Sequence, residues 1–324
     1  MRAIVVEQWT EPRDLRVKEV PEPELVPGGL EVEVRAAGCN FFDILMVQGR
    51  YQMKPPFPFT PGAEIAGVVK RVGEGVTDFA PGDRVLSSAG LGGFAEVAVV
   101  GTGGTYKLPK DMSFEEGCAL PIIYPTSYAG LVDRGQLQKG ETLLVHAAAG
   151  GVGVAAVQIG KALGATVIAT AGGAEKCEVA LREGADHAID YRAEDFVPKV
   201  MELTDGRGAD VIYDSVGGET TDKSLKCIAW NGRLVIIGFA SGPIPEIKAN
   251  RILLKNIAVT GLHWGAHAQK APERIPEVFG ALFDLYAAGQ IRPVIFKSYS
   301  LDEVPAALEA LGSRKTYGKV VITP

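Results

Sequence analysis

The chain has 324 residues, 47% hydrophobic and 22% charged, a composition that suits a well-buried globular protein of about two domains. Its formal charge of -6 and the lack of any basic run argue against a nucleic-acid surface, which needs an excess of Lys and Arg on one face; no nucleic-acid partner is expected. No apolar stretch of ~18 residues offers a membrane span, residues 1–7 read as a strand and not as a signal peptide, and the expectation is a soluble cytoplasmic protein with no membrane partner.

Short β-like runs come first, at residues 3–7, 30–37, 64–72, 84–86 and 95–100, separated by turn signals such as Pro27-Gly-Gly29 and Pro81-Gly-Asp83. They predict a β-rich domain of irregular outline. From about Leu120 the pattern changes: strand candidates at 142–148, 166–171, 187–190, 210–216 and 233–239 alternate with helical patterns at 152–163, 175–183, 195–203 and 220–228. That alternation predicts an α/β fold, a doubly wound parallel sheet covered on both faces. The tail, with helices at 276–288 and 305–312 and a strand at 319–322, is too short for its own core and is expected to pack on the first domain. The four cysteines, Cys39, Cys118, Cys177 and Cys227, form no Cys-x-x-Cys pair and read as packed thiols.

The stretch His146-Ala-Ala-Ala-Gly-Gly-Val-Gly153 follows the first strand of the alternating region and opens its first helix. In that position glycines serve a dinucleotide: a tight turn, a close approach to the pyrophosphate and a helix–strand contact, with backbone N–H groups facing the phosphates. Ala148, Gly150 and Gly153 fill those three slots, and Gly151 and Val152 lie between them. At the end of the second strand an NAD site offers Asp or Glu to the ribose; here stands Ala171-Gly172-Gly173, with Lys176 three residues on. Small residues and a cation suit a 2′-phosphate, so the expected cofactor is NADPH. Tyr191 lies on the same rim or is an ordinary half-buried aromatic.

Gly140-Glu-Thr-Leu-Leu144, Ala148-Ala-Gly-Gly-Val-Gly153 and Gln158-Ile-Gly-Lys161 together resemble the signature of the quinone oxidoreductase/zeta-crystallin family, a zinc-independent branch of the medium-chain dehydrogenases and reductases. Pro61-Gly-Ala-Glu-Ile-Ala-Gly67, Val72-Gly-Glu-Gly-Val76, Pro81-Gly-Asp-Arg-Val85, Gly93-Phe-Ala-Glu96 and Thr316-Tyr-Gly-Lys-Val-Val321 extend the likeness over essentially the whole chain. The resemblance implies a GroES-like substrate domain of residues 1–122 and 262–324, a Rossmann domain of residues 123–261, and a cleft joining them. It implies that Gly173, Lys176, Tyr191 and Arg314 surround the 2′-phosphate, that Asn40 and Thr126 sit near the nicotinamide, and that Phe239 belongs to the cofactor site. It also implies a quinone or an α,β-unsaturated aldehyde, ketone or thioester as substrate, or, in another class, a lens structural or RNA-binding role that the acidic chain disfavours.

Metal-dependent relatives use Gly-His-Glu and a Cys three residues before an Asp; this chain has Gly62-Ala63-Glu64, and Asn40 before Asp43. One carboxylate and one carboxamide cannot hold tetrahedral zinc, so no metal is expected. His263 and His267 share a helical spacing without a third ligand. Without a Lewis acid, hydrogen bonds must polarise the substrate. Tyr51, in Gln48-Gly-Arg-Tyr51, is the candidate donor because similar segments in enoyl thioester reductases carry a proposed proton-donating tyrosine; its alternative is a cleft-lining aromatic. Asn40 orients substrate or nicotinamide, or satisfies a buried turn. Asp43 and Glu64 read as structural carboxylates that cap backbone N–H groups. Residues 256–261, apolar at the edge of the Rossmann sheet, offer a strand for a homodimer or homotetramer.

Overall fold

After residue 120 the alternating strands and helices build, in the computed structural model of residues 1–324, a six-stranded parallel sheet. Its strands run in the order His187–Asp190, Thr166–Ala171, Thr142–Val145, Ala209–Asp214, Ile228–Ile236, Ala258–Gly261. Counted along the chain this is 3-2-1-4-5-6, the doubly wound order, and it reverses between Thr142–Val145 and Ala209–Asp214. Leu143, Leu144, Val145, Val167, Ile168, Val211 and Ile212 are fully buried, as near-continuous apolar runs must be when helices cover both faces. The sixth strand lies where residues 256–261 predict an edge, with only one hydrogen-bonded neighbour.

Gln158 is the polar pin of this unit. Its Oε1 accepts from the Tyr124 hydroxyl (2.7 Å) and the Arg292 N–H (3.0 Å), while its Nε2 donates to Glu183 (2.8 Å) and to the Arg292 carbonyl (2.9 Å). All of its hydrogen-bonding groups are used, which is how an amide that is 5% exposed escapes a desolvation penalty. Helix Arg274–Ala287 packs on helix Ile123–Ala129, burying Val278, Phe279, Leu282 and Tyr286, and Arg274 pairs with Asp133 at 2.7 Å. Residues 262–292 therefore belong with 123–261. The division falls at Arg292, giving units of 123–292 and of 1–122 with 293–324, and not at residue 261 as the sequence suggests.

The other unit is built from both ends of the chain, as expected. Strand Gly29–Gly38 pairs antiparallel with Ile65–Val72, with Val97–Gly101 and with the C-terminal strand Lys319–Thr323, where Val321 faces Gly38 and Ile322 faces Ala37. Arg84–Ser87 and Thr105–Lys107 continue the sheet on one side and Ile295–Ser300 on the other. Leu30, Val32, Val85, Val320 and Ile322 share one core. Three strands, Val17–Glu19, Thr105–Lys107 and Ile295–Ser300, are not visible in the sequence pattern. The first two are three residues long, and Tyr299 alone is buried in the third, so none shows an apolar period. No helix is long and apolar enough to cross a membrane.

Candidate functional site

In residues 123–292 the chemistry gathers at the carboxyl ends of the central strands, next to the point where the strand order reverses. Gly150 is the N-cap of helix Gly151–Ala162, and a Cβ there would meet only the Ala147 carbonyl, at 3.3 Å, so the turn is open on its outer side. Gly153 is the opposite case: a Cβ would run into the Ala147 carbonyl and lie 2.7 Å from the Ala148 Cα. One glycine keeps an approach clear and the other lets helix and turn touch, which is the division of labour a pyrophosphate cradle needs. Ala147, ahead of these slots, is left-handed at φ 50°. Gly151 and Val152 form the first helical turn, whose N–H groups have no intrahelical acceptor.

The rim of this cradle lies one strand away. Gly173 caps helix Ala174–Arg182 at φ 98°, Lys176 stands in that helix's first turn, and the Tyr191 hydroxyl lies over Gly172, 2.5 Å from where a Cβ would be. Two further neighbours join them. The Arg192 guanidinium lies against the same glycines, its Nε 3.2 Å from a Cβ at Gly172 and its Nη1 3.7 Å from one at Gly173. Asp190 brings a carboxylate from the neighbouring strand, its Oδ1 accepting from the Gly173 N–H (2.8 Å) and the Arg192 N–H (2.9 Å). An acid is thus present, but on the third strand and bonded to backbone, with Arg192 beside it. The adjacency of Arg192 to Tyr191 was the signal available in the sequence.

Behind the cradle, His146 is buried with Nδ1 2.9 Å from the Thr170 hydroxyl and Nε2 2.8 Å from the Ser224 hydroxyl. Ser224 spends its proton on the Thr220 carbonyl (2.7 Å), so it accepts from Nε2–H, and Nδ1 accepts from Thr170. Burial pushes the imidazole pKa down to about 4 against the pull of Asp214. Asp214 itself holds the turn after its strand, taking the N–H groups of Val216 (2.8 Å) and Gly217 (3.0 Å) and the Thr221 hydroxyl (2.5 Å). Phe239 is partly exposed and covers Gly217. Thr126 sits on helix Ile123–Ala129. His263 and His267 do not share a helix: His267 stacks on Trp264 at 4.6 Å and bonds its carbonyl at 3.1 Å.

In the other unit, Asn40 caps helix Phe41–Val47 and lies in a buried polar cluster. Its Nδ2 donates to Glu64 Oε1 (2.8 Å) and its Oδ1 accepts from Lys319 Nζ (2.8 Å). Lys319 also donates to the Cys39 carbonyl (2.8 Å) and pairs with Glu64 Oε1, while Glu64 Oε2 takes the Ile122 N–H (3.0 Å). Both ends of the Asn40 amide are engaged within this cluster. Asp43 caps the Asn40 N–H (2.7 Å), as expected of a structural carboxylate, but its Oδ1 has no hydrogen-bond partner. Burial pushes the Asp43 carboxyl up to about 7, with Lys319 and the Asn40 and Gly62 amides opposing. Tyr51 is half-buried, its ring stacked on Phe42 at 5.4 Å, and burial, then Asp43, raise its phenol above the usual value and keep the hydroxyl a donor at neutral pH. Arg314 follows helix Val304–Gly312 in a left-handed conformation, φ 57°, in this unit and not in the one that carries Lys176 and Tyr191.

This combination of a sheet closed by both termini and a doubly wound nucleotide-type sheet defines a medium-chain dehydrogenase/reductase. Residues 26–110 match the family described as alcohol dehydrogenase GroES-like domain, and residues 151–283 match zinc-binding dehydrogenase. The chain is 45% identical over 296 residues to the quinone oxidoreductase-like protein 2 homolog of Nematostella vectensis, covering 90% of this chain and 81% of that protein. It superposes on Pseudomonas syringae quinone oxidoreductase with a TM-score of 0.91 at 36% identity, covering 100% and 99% of the two chains. The Escherichia coli quinone oxidoreductase complexed with NADPH gives 0.92 at 34% identity, with both chains fully covered. The chain belongs to the quinone oxidoreductase-like family and is an oxidoreductase of that superfamily.

The zinc in the description of one matching family does not fit these residues. Ala63 and Asn40 stand at the ligand positions of metal-dependent relatives, no group of three or more His, Cys, Asp or Glu is placed to hold an ion, and the Glu64 carboxylate is taken by an ammonium. The nicotinamide cofactor does fit, on the open Gly150 turn and the cationic rim.

The two shifted groups act on stability in opposite senses. The fold holds His146 neutral, so stability is full above its ordinary pKa of 6.5 and lost as the pH falls towards about 4. The fold also favours neutral Asp43, so its contribution is full below 3.8 and lost as the pH rises through about 7. Calorimetric midpoints between about pH 4 and about pH 8 should show His146→Gln losing less stability on acidification than the parent, and Asp43→Asn losing less on the alkaline side. Parallel pH profiles for all three proteins would contradict both assignments.

Proposed function

We propose that the chain is an NADPH-dependent reductase that reduces quinones, and activated alkenes of related electronic structure, without a metal. The observation that carries this reading is the cradle at Gly150–Gly153 together with the Lys176, Tyr191 and Arg192 rim beside Gly172-Gly173. NADPH supplies hydride when bound; the chain's part is to hold it, orient the acceptor and exclude water. Both substrate types take hydride into a conjugated system and leave charge on oxygen, which a neutral phenol such as Tyr51 stabilises or protonates. That NADPH is the partner of the Escherichia coli relative supports the cofactor.

On this reading NADPH binds far more tightly than NADH. Lys176→Ala and Arg192→Ala should each narrow the gap by about 10- to 100-fold, the worth of one charge-assisted contact. Equal dissociation constants for the two nucleotides in the parent protein would refute it.

Tyr51→Phe keeps the ring on Phe42 and removes only the hydroxyl. With an enone the kcat should fall by about 100-fold while the NADPH Kd holds, whereas a quinone, a more reactive acceptor, should lose less. Unchanged kcat for both substrates would leave Tyr51 a packing residue.

Self-association belongs to the same proposal. The Ala258–Gly261 edge strand lies close in sequence to Leu253 and Leu254, 76% and 69% exposed, which suits pairing with a second copy. Sedimentation should find a dimer or tetramer, reduced to monomer by Leu253→Glu with Leu254→Lys; a monomeric parent protein would exclude it.

A further inference from the structure

We infer that Lys319 is a positioning residue for the reduction, acting as a built-in cation that fixes the segment carrying Tyr51. The inference rests on the reading of Tyr51 as donor.

Lys319 opens a strand whose next three residues, Val320, Val321 and Ile322, are fully buried, and is itself 3% exposed. A lysine so placed is rare and must be paired. Its ammonium has three protons and three acceptors, on Cys39, Asn40 and Glu64, so none is left over for a ligand. Room for the carboxylate comes from Gly38, where a Cβ would lie 2.5 Å from Glu64 Oε1 and 2.8 Å from the Cys118 carbonyl.

The consequence runs along the chain from Asn40. Two of the three acceptors, the Cys39 carbonyl and Asn40 Oδ1, belong to the residues that lead into helix Phe41–Val47. That helix carries Phe42, on which Tyr51 stacks, and its Leu45 carbonyl accepts the Tyr51 N–H at 3.2 Å. The ammonium thus fixes the start of a short helix whose second residue, Phe42, stacks on the Tyr51 ring and whose Leu45 carbonyl holds the Tyr51 backbone. In metal-dependent relatives the ligands at positions 40 and 63 are organised by a metal; here Glu64 and Asn40 are organised by Lys319.

Lys319→Met alone strands the buried Glu64 charge and is expected to fold poorly. The informative variant is therefore Glu64→Gln with Lys319→Met, in which a neutral amide still accepts from the Ile122 N–H through its oxygen and can donate through its nitrogen to Asn40 Oδ1, the acceptor that Lys319 vacates. It should fold, with a thermal midpoint lowered by the Cys39 carbonyl that loses its donor, and bind NADPH with unchanged Kd, while kcat for an enone falls about 10-fold. In a Tyr51→Phe background the same pair should change kcat by less than about 2-fold, because the group being positioned is gone. Lys319→Arg, which keeps the charge, should retain more activity than the neutral pair.

An unchanged kcat in the paired variant, an altered NADPH Kd, or an equal loss with and without the Tyr51 hydroxyl would each overturn the role of Lys319 while leaving Tyr51 as donor. If Tyr51→Phe is itself silent, the donor reading falls and this inference with it.

Discussion

A carboxylate removed from water stays charged only if a cation and hydrogen bonds come with it, and the arrangement of the β-rich unit follows from meeting that demand at Glu64. The cation comes from the far end of the chain. Lys319 reaches Glu64 only because Lys319–Thr323 pairs with Gly29–Gly38, so the ion pair and the closure of the sheet by both termini are one arrangement. Glu64 then anchors Ile122 through its second oxygen and Asn40 through its first, which ties the start of the Tyr51 helix and the end of the first chain segment to a single carboxylate. The pair is weak evidence for net stability, since an apolar replacement of equal shape can be as stable. What it supplies is a fixed geometry.

The Rossmann-type unit uses polar groups in the same way at a different place. Asp214 and His146 stand at the ends of the two strands between which the order reverses, Asp214 bonded to groups two to seven residues further on and His146 to hydroxyls from two other elements. Loops at such a point would otherwise be the loosest part of the sheet. Here the turn after Ala209–Asp214 is held by one carboxylate that accepts three hydrogen bonds, and the start of the glycine turn by an imidazole held between two hydroxyls. Rigid loops with open glycine edges suit a cofactor whose phosphates are bound by backbone N–H groups, because those groups lose little entropy on binding.

How much of this the sequence displays depends on whether a feature is local. The parallel sheet was legible because buried strands and helices alternate with the right lengths, and the cradle because Gly150 and Gly153 have a fixed spacing after a strand. The left-handed backbone at Ala147 is not legible, because an alanine in such a turn carries no compositional mark. The helix Arg274–Ala287 is legible, its unit is not: amphipathicity shows that a face is buried, and only the Arg274–Asp133 pairing and the packing on Ile123–Ala129 show against what. Arg192 and Asp190 escaped notice because their partners lie on the adjacent strand. Lys319 was read as the start of a strand, although a lysine ahead of Val-Val-Ile already poses the question of its partner; the answer lies some 250 residues away at Glu64 and cannot be read from spacing.

The same distinction explains how a chain can match a zinc-binding family and lack the means to bind zinc. The match over residues 151–283 rests on the nucleotide-type unit, whose strands, turns and helices are indifferent to a metal. The ligand positions lie outside that span, at Asn40 and Ala63, where two substitutions remove a thiolate and an imidazole. Asp43 Oδ1 has no hydrogen-bond partner, and burial favours the protonated form of this carboxyl. A buried carboxyl group can be neutralised by a cation or by a proton. Glu64 has the first in Lys319, and Asp43, with Oδ1 unpaired, is driven towards the second.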